Sequence, residues 1–112
     1  MGRESRRMPR RAVPGLVEVT DTMTGAVVGH VGNVSVGGML LIAQAPLVEE
    51  GLYQFAFTLP DERRPLEVGA HVLWLDAAGA PGQAWAGVRF LGLAPESTRQ
   101  LREWIGHGNV DA

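Results

Sequence analysis

Residues 52–59 read Leu-Tyr-Gln-Phe-Ala-Phe-Thr-Leu, with Tyr53, Phe55, Phe57 and Leu59 at every second position and small or polar residues between them. A period of two puts such a set on one side only if the chain is extended and half buried, so this stretch is a strand. The same period recurs at 15–20, where Val17 and Val19 oppose Glu18 and Thr20. It recurs again at 66–75 (Leu66, Val68, Ala70, Val72 and Trp74) and at 83–93 (Ala84, Ala86, Val88 and Phe90). Short apolar runs at 26–32 and 39–43 bring the number of strands to six. Fifteen glycines and seven prolines in 112 residues supply turns between strands and leave little room for helices. One helix is expected, over 94–105: Pro95 and Glu96 suit a first turn, and Leu101, Trp104 and Ile105 form an apolar stripe. The pattern predicts an all-β fold, a small six-stranded antiparallel β-barrel with a C-terminal α-helix that caps an open end or packs outside. Closing the sheet leaves no exposed strand edges.

The length fits one domain, and 46% hydrophobic with 20% charged residues is ordinary for a folded chain. There is no cysteine, which excludes disulfides, thiolate metal sites and a cysteine nucleophile. No apolar run approaches the ~18–20 residues of a membrane span, and no apolar secretory segment follows the N-terminus. A cytoplasmic location is therefore expected. The organisation reads as a flexible basic arm over 1–11, a barrel domain with its helix over 12–106, and a frayed tail over 107–112.

Charge is distributed unevenly. Residues 1–11 carry five arginines against one glutamate, a net +4, while the remainder carries five arginines against eleven acids, a net −6. Every basic residue is arginine, whose planar, permanently charged fork suits phosphate oxygens and base edges. Within the segment "RRMPRR" (6–11), Pro9 argues against a helix, and an extended arm, mobile when empty, is expected. A solvated basic tail with weak affinity for nucleic acid would explain the charge alone. Arg11, however, sits one residue before Ala12-Val13 and the first strand, so the fold must position it.

The second notable segment is "NVSVGG" (33–38). As a bare hairpin turn, Asn33 and Ser35 would bond their own backbone and the glycines would supply positive φ. As half of a ligand site, Asn33 and Ser35 would project from one side toward a sugar or phosphate, and Gly38 would let a bulky group approach the backbone.

Taken together, Arg6-Arg7-x-x-x-Arg11, a following apolar strand, and Asn33-x-Ser35-x-x-Gly38 resemble the paired signature of PilZ domains. "AGVRFLGL" (86–93) resembles that family's late strand, and the helix after it fits the family's usual ending. The PilZ resemblance implies a six-stranded barrel that binds the bacterial second messenger cyclic di-GMP without a metal or other cofactor. It implies ligand contacts from Arg6, Arg7 and Arg11, and from Asn33, Ser35 and Gly38. Arg10 also satisfies an Arg-x-x-x-Arg spacing with Arg6, so it replaces or joins the matched arginines. On this reading the arm folds over the dinucleotide against the turn, and an unidentified downstream protein reads the changed surface, with motility, adhesion or polysaccharide export among the outputs.

Other function classes are less well supported. His30, His71 and His107 are the only imidazoles and have no metal-ligand spacing, and no nucleophile elbow accompanies Ser35, so no catalytic residue is expected. A single-stranded nucleic-acid-binding barrel would want a basic groove with exposed aromatics. Here the barrel body is acidic and the aromatics fall on core faces, except Trp85, which is expected to pack under the helix. A third possibility is an adaptor barrel that no longer binds a ligand, against which the presence of both segments argues.

Overall fold

The structure, a computed structural model, describes residues 8–108. Its strands are β1 (Arg11–Ala12), β2 (Glu18–Asp21), β3 (Val27–Val34), β4 (Gly38–Ala43), β5 (Leu52–Phe57), β6 (Leu66–Ala77) and β7 (Ala84–Leu91), followed by the helix α1 (Pro95–Gly108). Neighbours pair antiparallel in the order β3-β2-β5-β6-β7-β4, and β4 returns to β3, so six strands close into the expected barrel. The seventh, β1, was not foreseen. β2 pairs only with residues 27–30 of β3, which leaves the end of β3 with an open edge. β1 occupies that edge, with Arg11 opposite Val34 and Ala12 opposite Asn33.

The period-two sets line the interior. Val19, Val31, Leu41, Phe55 and Val72 are essentially inaccessible, and Leu101, Trp104 and Ile105 of α1 join the same core. The helix docks on the connection between β5 and β6. There the Trp104 indole N–H donates to the Pro60 carbonyl at 3.1 Å, and the Gln100 amide donates to the Glu62 carboxylate and the Arg64 carbonyl, each at 3.2 Å. α1 runs on through Gly106, His107 and Gly108, past the end that the glycines suggested. The His107 Nδ1–H donates to the Glu103 carbonyl at 2.8 Å, which supports the final turn after Trp104 and Ile105 have fixed the one before.

Two tryptophans depart from expectation, Trp74 in its face and Trp85 in its packing. Leu66, Val68, Ala70 and Val72 point inward as the alternation predicts, but the β6–β7 register slips between Val72 and Trp74. The extra residue of this bulge is Leu73, and after it the faces exchange. Trp74 therefore emerges on the outer surface, 40% exposed, and Leu75 turns toward the core in its stead. Trp85 is also on the outside, in register with Ile42 and Asp76 and 38% exposed, rather than buried beneath α1.

Glycine is required where β4 meets β7. A Cβ on Gly38 would run into the Val88 carbonyl oxygen, whereas the tightest contact of one on Gly37 would be with the flexible Met8 sulfur, at 3.0 Å. Gly38→Ala is expected to lose about 1–3 kcal/mol of stability through this overpacking. Gly37→Ala is expected to stay within about 0.5 kcal/mol of the parent. Denaturant unfolding of the two variants checks the contrast.

Candidate functional site

The site grows from the bend between β3 and β4. The Ser35 backbone N–H donates to the Gly38 carbonyl at 2.8 Å, and the Gly37 N–H donates to Ser35 Oγ at 3.1 Å. Ser35 is 3% exposed, and its hydroxyl is aimed at the Gly38 carbonyl, 3.4 Å away. On the other flank the Phe90 N–H donates to the Gly37 carbonyl at 2.9 Å, which ties the bend to β7. Ser35 is thus turned into the bend as its internal brace rather than outward beside Asn33. Its hydroxyl is committed to backbone groups.

Asn33 faces outward because β3 bulges between Val31 and Asn33. Its side-chain oxygen accepts a hydrogen bond from Arg10 Nη1 at 2.6 Å. A guanidinium can only donate, so the Asn33 oxygen must face it, and the Asn33 amide N–H groups are left to donate elsewhere. Ala12 pairs with Asn33, and Arg10 lies two residues away on the same face of the extended chain.

Arg11 lies on the opposite face, with Val34. Its guanidinium sits 3.7 Å from the centre of the Trp104 ring and donates to the Trp104 carbonyl at 2.6 Å. The two neighbouring arginines therefore have different surroundings, Arg10 at the bend and Arg11 on the helix. Arg6 and Arg7 lie outside the described residues.

Two contiguous grooves on the outer wall share Arg10, Leu73 and Val88, with volumes of about 260 and 320 Å³. Asn33 and Trp74 line the first; Met8, Ser35, Gly37, Gly38 and Arg89 line the second. Trp74 lies across β7 at Gly87, its register partner, where any Cβ would collide with the indole. The result is an aromatic plate, backed by sheet and open on its outer side, beside the Arg10–Asn33 pair. Among the described residues, neither groove is lined by a carboxylate. A larger open groove of about 400 Å³ runs between the β5–β6 connection and α1, but its arginines sit among Glu62, Glu96 and Glu103, with Arg64 and Glu96 3.9 Å apart. Charges that balance one another make a poor anion site; the guanidiniums beside the bend, which meet no carboxylate of the described residues in their grooves, make a better one. Among the described residues no group of three metal-ligating side chains converges, and no helix is long and apolar enough to cross a membrane.

Sequence reasoning missed Trp74, Met8 and Arg89. The available signal was the pair Leu73-Trp74, two large apolar residues in succession, which cannot both be interior in a strand, together with Gly87 in the facing strand.

The PilZ domain family model matches residues 3–107 of the chain. No curated protein matches it in sequence. Among solved structures, the fold is similar to Bacillus subtilis inhibitor of motility (MotI/DgrA), with 15% identity and a TM-score of 0.77, covering 95% of this chain and 51% of that one. It is similar to Escherichia coli YcgR in complex with c-di-GMP, with 20% identity and a TM-score of 0.77, covering 95% of this chain and 46% of that one. The PilZ domain of Escherichia coli YcgR with c-di-GMP is 18% identical with a TM-score of 0.72, and there the match covers 95% of this chain and 92% of the other. The chain thus spans about half the length of the first two proteins and nearly all of the isolated domain.

The separate surroundings of the two arginines give distinct expected outcomes. Arg11→Ala removes a ring contact and a charge-assisted hydrogen bond, and is expected to cost about 2 kcal/mol of stability with faster amide exchange in the last turns of α1. Arg10→Ala, at the exposed bend, is expected to change stability by less than about 1 kcal/mol. Unfolding curves and hydrogen exchange on both variants test this.

Proposed function

Since the chain belongs to the PilZ domain family, we propose that it is a receptor for cyclic di-GMP, which binds in the groove between the N-terminal arm and the 33–38 bend without being chemically altered. The observation that carries this reading is the Arg10–Asn33 pair beside the exposed indole of Trp74, in a groove with no carboxylate. Cyclic di-GMP has two negatively charged phosphates and two guanines, and each part finds a matching group. Arg10 supplies a fork for a phosphate or for the acceptor edge of guanine. The Asn33 amide donates to the same guanine edge or to a phosphate oxygen. Trp74 offers a plate for a purine face, and such stacking contributes about 1–3 kcal/mol per base.

Ser35, Gly37 and Gly38 act through shape. Ser35 braces the bend from within, and Gly38 allows β4 to lie close against β7, so the floor of the groove is rigid before ligand arrives. Arg6 and Arg7 extend the arm and close over the dinucleotide, and Arg11 anchors the root of the arm to α1. Of the alternatives left by the spacing, Arg10 is the arginine of the 10–11 pair that meets the ligand. Met8 lies over Gly37 in the groove and moves aside as the arm closes. The new surface of arm and nucleotide is then what a downstream protein reads.

Calorimetric titration with cyclic di-GMP, and with cyclic GMP, GTP and a short single-stranded RNA as controls, tests the reading. Tight binding to cyclic di-GMP alone is expected. Arg10→Ala and Trp74→Ala are each expected to weaken it by about 10- to 100-fold, and Trp74 emission is expected to change on saturation. Comparable binding to the RNA with a steep salt dependence would indicate a single-strand binder instead. Binding to none of the four would leave a protein-interaction barrel.

A further inference from the structure

Arg89 is an exposed residue on the outer face of β7 that lines the second groove but has no part in the ligand contacts proposed above. Its register neighbours are Gly38 on β4 and His71 on β6. Gly38 has no side chain, and His71 is engaged with the Glu50 carboxylate at 2.7 Å. No carboxylate therefore faces Arg89 from either flanking strand. Arg89 does line the groove at the bend, together with Arg10, Met8 and Gly37. That groove holds two guanidiniums and no acid, although the chain beyond residue 11 carries an excess of acids. Like charges gathered at one small concavity repel each other, and an anion bridging them removes the repulsion.

From this arrangement we infer that Arg89 forms a second anion subsite, across the Gly37–Gly38 floor from Arg10, that takes a phosphodiester group. The inference rests on the receptor reading above and extends it: Arg10 approaches from the N-terminal side and Arg89 from the barrel wall, so a ligand with two phosphates is gripped by guanidiniums from two elements. The backbone at Arg89 is fixed because β7 is paired along its length with both β4 and β6. Two sources of the phosphodiester are distinguishable: the second phosphate of the same dinucleotide, or a phosphate of a second molecule stacked on the first.

Calorimetry of the full chain with cyclic di-GMP tests the subsite, using Arg89→Ala, Arg89→Lys and, as a control for loss of one exposed charge, Arg102→Ala on the helix. Arg89→Ala is expected to weaken binding about tenfold or more at unchanged stoichiometry if one molecule spans both arginines. It is expected to lose one equivalent if the subsite holds a second molecule. Arg89→Lys is expected to recover part of either effect, since a point charge keeps the attraction but not the fork. Arg102→Ala is expected to bind like wild type, and all three variants to melt like wild type. Wild-type affinity and stoichiometry in Arg89→Ala would overturn the subsite while leaving the receptor function standing. No binding by the wild type would overturn the receptor function, and the subsite with it.

Discussion

The two-residue strand β1, paired to the open end of β3, governs the arrangement at the site. Strand geometry sends consecutive side chains to opposite faces, so one short ladder fixes Arg11 over the Trp104 ring and Arg10 beside Asn33. Were the pairing to slip by one residue, the two arginines would exchange faces. Arg11 resists that slip. It has both a ring beneath it and a carbonyl to donate to on a helix that is itself locked into the core through Trp104 and Ile105. The basic segment is thus tied to the barrel at its root, and the position of Arg10 follows from the packing of a helix more than ninety residues away in sequence.

A second constraint, the bulge at Leu73, equips the outer wall. Without it, Trp74 would continue the inward set and the barrel wall beside Asn33 would lack an aromatic surface. With it, the indole lies across Gly87, and the two irregularities, one in β3 before Asn33 and one in β6 before Trp74, bring polar and aromatic groups to adjacent positions. Bulges re-aim side chains at the expense of local ladder regularity. Here both flank the same groove.

How much of this was legible in the sequence differs from element to element. The six barrel strands and the helix followed from periodicity and turn residues, because burial of one face is a local property that a period of two reports directly. Phe55, Val72 and Val88 behave as that rule demands. It fails at Trp74 because a bulge depends on the partner strand, which no single stretch contains; at Trp85 it holds, and only the expected cover by the helix is missing, because an outward position need not be covered. β1 was read as part of an arm because two residues carry no periodic signal; the open edge of β3 creates it. The Arg10 and Asn33 positions were both picked out in the sequence, yet which arginine of the 10–11 pair meets the bend depended on strand register. Ser35 was legible as a turn former, and its buried hydroxyl follows that simpler chemistry.

Receptor function at this groove depends on where the nucleotide sits. Amide and indole chemical shifts of the full chain, followed while cyclic di-GMP is added, locate it most directly. The largest changes are expected at the Gly37 and Gly38 amides, the Asn33 side-chain amide and the Trp74 indole N–H, with the β5–β6 connection and the facing residues of α1 little affected. Changes concentrated instead around Glu62, Arg64 and Gln100, with the bend and Trp74 silent at saturation, would contradict it.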